Sequence, residues 1–233
     1  MSNVHLREAA APRDINSPVL ITERLVLRLP HNEDIDALAR LAHNKHISAQ
    51  FGKMPYPFTR ADAEEFIRRA ASGKIGYYVY AITRADTGEF IGCCGIGAYK
   101  SGAWAASDAQ VNMQAGLPPR GGNQAETEVF FWLGEPFWGQ GYGEEVATAL
   151  VDVAFRATDI ETLYARANMN NGAMRRILQK CGFSLIYAGG HVAAGADKGE
   201  AIAHYHLSRT AWLDLRGHTA ASRHKTKKAD VSA

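Results

Sequence analysis

Three glycines within five residues, set between an aromatic run and an amphipathic segment, constrain this chain more than any other feature. The stretch is Trp138-Gly139-Gln140-Gly141-Tyr142-Gly143-Glu144-Glu145, preceded by Glu128-Val-Phe-Phe-Trp-Leu133. The aromatic run reads as a strand. Beyond the glycines, Val146, Ala149, Leu150, Val153 and Ala154 recur at i, i+3, i+4, i+7 and i+8 and lay an apolar stripe along a helix. A strand must therefore become a helix through glycines. Amides at a helix start lack an intrahelical acceptor and carry partial positive charge. Glycine sets no Cβ in front of them, so the turn suits a diphosphate.

Two other phosphate-binding patterns do not fit. In a dinucleotide fingerprint the third glycine falls three positions after the second and the loop follows the first strand of a βαβ unit. Here it falls two positions on, past the middle of the chain. A P-loop needs Gly-Lys-Ser/Thr, which is missing.

The 233 residues are 46% apolar and 21% charged, as in an ordinary globular chain. Lys plus Arg is 26 and Asp plus Glu is 24. The cationic excess sits at the end: Arg216, Arg223, Lys225, Lys227 and Lys228 stand against Asp230, a net of +4, which leaves −2 on residues 1–215 out of +2 overall. The body is thus no basic nucleic-acid binder, and a nucleic-acid partner is not expected. Cys93, Cys94 and Cys181 have neither disulfide-framework nor metal-ligand spacing, so a reducing, cytoplasmic setting is expected. With no signal sequence or long apolar run, no membrane partner is expected.

Residues 1–18 and the basic segment 216–233 read as disordered ends. Between them, Leu20 to Leu29 reads as a half-buried strand whose alternation breaks near Glu23. Asn32 is placed to cap a helix carrying Ile35, Leu38 and Leu41 on one face. Thr59 with Asp62 forms a capping box for a second helix. Tyr77–Ile82 and Phe90–Ile96, joined by Asp86, Thr87 and Gly88, read as a hairpin. Residues 98–126 are long for a connecting loop. Leu163–Ala167, Phe183–Tyr187 and Ala201–Leu207 read as strands, and Asn171–Cys181 as a helix ended by Gly182.

The segment Glu128-Val-Phe-Phe-Trp-Leu-Gly-Glu-Pro-Phe-Trp-Gly-Gln-Gly-Tyr-Gly-Glu-Glu145 resembles the acyl-CoA loop of GNAT-superfamily N-acetyltransferases, and among them the RimJ/RimL-type branch. Thr22-Glu-Arg-Leu-Val-Leu-Arg28, Asn171-Gly-Ala-Met-Arg-Arg-Ile-Leu-Gln-Lys-Cys-Gly-Phe183 and His206-Leu-Ser-Arg-Thr-Ala-Trp212 agree in order and spacing. The resemblance spans about residues 19–213 and implies a mixed α/β domain over 19–215, with 98–126 as an insertion. Its fold would be the GNAT acyl-CoA N-acyltransferase fold, a bent, mostly antiparallel sheet flanked by about four helices.

The resemblance also implies acetyl-CoA as cosubstrate and a primary amine as acceptor, either a protein N-terminal α-amine or a small molecule. A homodimer is compatible with it. The pantetheine arm would lie along Trp132 and Leu133, and the diphosphate on Gly139, Gln140, Gly141, Tyr142, Gly143 and Glu144. Trp138 would pack that loop against the following helix. Asn171 matches the family's Asn near the cofactor and is equally a plain helix cap. Glu128 matches the base of some members, with Glu126 on the same strand face as a substitute. Many members carry a Tyr where this chain has Leu178, and RimL-like members a Ser where it has Met174. Protonation of the leaving thiolate therefore falls to water or to a residue such as Tyr187 or Tyr205. A non-catalytic acyl-CoA sensor is the alternative those two departures suggest. At pH 7, neutralising an α-amine costs about 1 kcal/mol and a lysine about 4.6 kcal/mol, so an α-amine asks less of a base. His204 and His206 share a strand face, but no third ligand is placed, and no metal is expected.

Overall fold

In the computed structural model, which describes residues 19–50, 54–72, 78–98, 127–191 and 201–217, eight strands form one sheet. They are β1 (Leu20–Ile21), β2 (Leu25–Arg28), β3 (Tyr78–Arg84), β4 (Phe90–Ala98), β5 (Thr127–Leu133), β6 (Thr162–Asn168), β7 (Ser184–His191) and β8 (Ala201–Ser208), in the order β1-β2-β3-β4-β5-β6-β8-β7. Among the described residues the helices are α1 (Ile35–Ala42), α2 (Lys45–Ser48), α3 (Arg60–Ala71), α4 (Tyr142–Ala157), α5 (Gly172–Lys180) and α6 over 209–217. Every strand pair is antiparallel except β5 with β6, which the crossover through α4 makes parallel. The mixed α/β, mostly antiparallel architecture read from the sequence is the one observed.

β5 is buried along its whole length and separates two cores. Val129, Phe131 and Leu133 join the core under α4, whose Val146, Leu150, Val153 and Ala154 form the stripe the sequence shows. Phe130 and Trp132 face the other way, into the core under α1 and α3 with Leu38, Phe66 and Ile67. Each fully buried Leu, Val or Phe contributes about 1.5–3 kcal/mol. A one-residue slip of β5 would exchange both sets, so the register is strongly specified.

Some local expectations are corrected. Leu20 to Leu29 is a tight hairpin rather than one strand, because Thr22 turns the chain: its amide donates to the Leu25 carbonyl at 2.9 Å and its Oγ1 accepts from the Leu25 amide at 3.1 Å. The break in alternation near Glu23 marks that turn. Asn32 opens a 3-10 turn instead of capping α1; extended His31 precedes it, and buried Asp34 accepts from the His31 amide at 3.0 Å and from Arg28 twice at 2.8 Å. Neither α2, capped by Asn44, nor α6 has an apolar pattern long enough to read from sequence. Thr59 with Asp62 at the start of α3, and Gly182 (φ 90°) after α5, stand as expected. Of the expected tail, Arg216 lies inside α6 and pairs with Asp152 of α4. Residues 1–18, 99–126 and 218–233 lie outside the described residues.

Candidate active site

The three glycines between β5 and α4 do different work. Gly139 and Gly141 adopt φ of 73° and 81°, the left-handed region that side chains other than glycine rarely adopt. Nothing lies within 4 Å of where a Cβ on Gly139 would stand. Gly143 is already helical and buried. A Cβ there would meet Ile177 of α5 at 2.9 Å and Phe131 of β5 at 3.3 Å. Its missing side chain thus serves close packing of α4 on its neighbours, a correction to the expectation that all three glycines clear space for an anion. No side chain caps α4. Its first helical bond runs from the Glu145 amide to the Gly141 carbonyl at 3.3 Å, which leaves the Tyr142, Gly143 and Glu144 amides without intrahelical acceptors.

Two carboxylates stand in the same first turn, and each is matched by a cation. Glu144 accepts from Lys180 Nζ at 2.7 Å. Glu145 accepts from Thr22 Oγ1 at 2.5 Å, from the Arg24 amide and Nε at 2.8 Å each, and lies 2.8 Å from Arg24 Nη2. Burial pushes the Glu145 carboxyl up, but the bonds from Thr22 and Arg24 outweigh it and hold the group below its usual range. Arg24 Nη1 also donates to the Gln140 carbonyl at 2.9 Å, and its guanidinium lies over the Tyr142 ring. Sequence reasoning placed Thr22 and Arg24 in a matching motif but missed this contact, since 121 residues separate Arg24 from Glu145.

β5 and β6 each have seven residues but pair only at Thr127 with Leu163 and Glu128 with Tyr164. Past that point they separate, the opening at the ends of parallel strands where α/β sheets take ligands. The phase of the β4–β5 ladder decides what β5 offers to the gap. Gly134 donates to the Ile91 carbonyl at 2.8 Å, so in this register Trp132 and Phe130 bond to Cys93 and Gly95, while Phe131 and Leu133 turn their backbone groups away from β4. Leu133 thus turns its backbone toward the gap, whereas the backbone of Trp132 faces β4 and its ring packs near Phe90. Trp138 is 43% exposed and donates its indole N–H to the Leu133 carbonyl at 2.7 Å. It pins the loop to the strand end.

Glu128 sits where β5 and β6 part. Arg166 of β6 reaches back to it with two bonds, Nε at 2.7 Å and Nη2 at 2.8 Å. Burial raises the carboxyl from its ordinary range, and the Arg166 bonds pull against this without cancelling it. From Glu128 a polar row crosses the sheet: Arg166 lies opposite His204 of β8, and His204 stacks on Tyr187 of β7 at 4.3 Å. Burial and then the Arg166 charge hold the His204 imidazole down, toward its neutral form. At about 3.3 Å per residue, Glu128 and Leu133 are ~17 Å apart along β5.

The other candidates are placed as follows. Glu126 lies outside the described residues. Asn171 caps α5, accepting from the Met174 amide at 3.0 Å, and donates to Gln50 at 2.6 Å. Tyr205 is buried, its hydroxyl 3.2 Å from Arg175 Nε, whereas Tyr187 is half exposed. Leu178 is buried in the core. Among the described residues no group of three or more His, Cys, Asp or Glu could hold a metal ion.

The sequence model of the acetyltransferase (GNAT) domain family matches residues 24–184. Solved structures share the fold. A GNAT-family acetyltransferase from Bacillus anthracis superposes with a TM-score of 0.63 at 13% identity, covering 82% of this chain and 98% of its own. Spermidine N-acetyltransferase from Vibrio cholerae, in complex with CoA and spermine, gives 0.61 at 12%, with coverages of 82% and 99%. The ribosomal α-N-protein acetyltransferase RimL, in complex with coenzyme A, gives 0.60 at 16%, with 82% and 97%. No curated protein sequence matches the chain.

Proposed function

The chain belongs to the acetyltransferase (GNAT) domain family, acetyl-CoA-dependent N-acetyltransferases, and from that premise we propose that its acceptor is a polypeptide α-amine, with Glu128 as the base. The observation that carries the transfer chemistry is the gap between β5 and β6, with amides lacking intrahelical acceptors at one end and a buried carboxylate at the other. The α-amine is favoured because a single carboxylate neutralises it at less cost than an alkylamine. Acetyl-CoA bound there supplies the activated thioester. The Tyr142, Gly143 and Glu144 amides, with that of Gly141 just before them, would hold its diphosphate, and Phe131 with the Leu133 amide would pair with its arm as an added strand would.

Glu128 then takes the proton that the acceptor ammonium must lose before it can attack. Its raised pKa brings it nearer to that of an α-amine, which favours the transfer. Positioning of amine and thioester supplies most of the remaining rate. Leu178 is buried and carbon only, so the leaving thiolate takes its proton from water or from half-exposed Tyr187. The free thiols Cys93, Cys94 and Cys181 support a reducing, cytoplasmic setting, and no described helix is long and apolar enough to cross a membrane.

The test is release of free CoA from acetyl-CoA with a panel of acceptors. Peptides with free N-termini are expected to give release, and the same peptides Nα-blocked with an internal lysine to give background. Release only with polyamines or aminoglycosides would replace the peptide acceptor by a small molecule. Tight acetyl-CoA binding with background release throughout would make the chain a sensor.

A further inference from the structure

The first turn of α4 holds an electrostatic conflict. Its amides suit an anion, yet Glu144 and Glu145 stand among them, and charges within about 8 Å of one another are not screened away by physiological salt. Glu144 is exposed, so water and Lys180 mute it. Glu145 has only 15% of its side chain exposed. Thr22 Oγ1 and the Arg24 amide, Nε and Nη2 converge on it from the β1–β2 hairpin. Arg24 Nη1 is left to hold the Gln140 carbonyl at 2.9 Å. In a trans peptide the C=O and the following N–H point in opposite directions. Tying down the Gln140 carbonyl therefore aims the Gly141 amide away from Arg24, while Arg24 Nη2 stands 3.3 Å from where a Cβ on Gly141 would be.

We propose that Thr22 and Arg24 are positioning residues for the acetyl-CoA loop: they fix the direction of the Gly141 amide and cancel the Glu145 charge before the diphosphate arrives. The inference rests on the acetyl-CoA reading of that loop. Neither residue is near Glu128 or the reacting atoms, so their loss falls on cofactor binding and spares the chemical step.

Calorimetry with acetyl-CoA and initial-rate kinetics test this on the full chain. Arg24→Ala is expected to raise both Kd and KM for acetyl-CoA about tenfold, with kcat at saturation within about threefold. Arg24→Lys recovers less than half of the loss, because one ammonium cannot reach Glu145 and Gln140 together as the guanidinium fork does. Adding Glu145→Gln to Arg24→Ala removes the lone carboxylate and is expected to tighten binding relative to Arg24→Ala alone. Should Arg24→Ala fail to fold, Arg24→Gln, which removes the charge and leaves Thr22 to turn the hairpin, carries the same test with a shift of about threefold. If Arg24→Ala lowers the melting temperature but leaves Kd within about twofold, or the double variant binds no better than the single one, the hairpin is only a brace and the proposal fails. A wild-type chain that gives no heat with acetyl-CoA overturns the acetyl-CoA reading as well, whereas equal heats from wild type and Arg24→Ala overturn this inference alone.

Discussion

The cofactor end and the acceptor end of β5 are each organised round one arginine–glutamate pair, and the two pairs differ in which partner water can reach. At the cofactor end Arg24 is 44% exposed, and Glu145 is saturated by donors from Thr22 and Arg24. That carboxylate is held ionised, below its usual pKa range, and has no acceptor capacity left for chemistry. At the acceptor end Glu128 is 6% exposed and has one cation, Arg166. Its pKa lies above the ordinary range, as the proposed base requires. In the proposed mechanism the fully bonded carboxylate is therefore architecture, and the buried one with a single cation is the reagent.

Glu128→Gln tests that contrast with the largest expected effect. The amide keeps the size of the side chain but cannot accept the acceptor's proton. Turnover at saturating acetyl-CoA is expected to fall ~100-fold, with the calorimetric Kd for acetyl-CoA unchanged. Unaltered turnover would make both pairs structural and end the distinction.

The glycine loop allows a sharper comparison within the cofactor end. Gly143→Val drives a branched side chain into Ile177 and Phe131 and is expected to cost about 1–3 kcal/mol of stability, read as a lower urea midpoint. Gly141→Ala strains a residue at φ 81° beside Arg24. It is expected to cost about 1 kcal/mol and to appear mainly as weaker acetyl-CoA binding. If Gly143→Val spared stability and abolished binding, the division of labour between the glycines would be wrong.

What the sequence reveals follows from how local each signal is. The turn from β5 to α4, the capping box at Thr59 and the glycine after α5 are written within a few residues, and each appears where its pattern stands. The separation of β5 from β6 has no local signal in either strand, and the register shows it directly. The two ion pairs are not legible, because 121 and 38 residues separate their partners and nothing periodic links a cation to its carboxylate. The role of Gly143 is hidden for a related reason. Whether a helical glycine faces a ligand or a neighbouring helix depends on how α4 is rotated, which Phe131 and Ile177 decide from outside the motif.

Arg166→Met is the smallest expected effect and the one that weighs the acceptor-end pair most finely. The apolar side chain fills part of the same volume but leaves Glu128 buried without its cation. Desolvation already dominates at this carboxyl, so removing the opposing pull raises its pKa further. Glu128 acts as a base only when ionised. The acidic limb of kcat/KM is therefore expected to move to higher pH, by about one unit for each 1.36 kcal/mol of lost interaction, while the rate well above that limb stays within about threefold of wild type. Arg166→Lys, which keeps a cation but not the two-pronged geometry, is expected to fall between the two. A limb that stays in place in Arg166→Met while the rate falls equally at every pH would show that Arg166 orients the strands at their parting and leaves the proton affinity of Glu128 alone. The acceptor-end pair would then be architecture, like the one at the cofactor end.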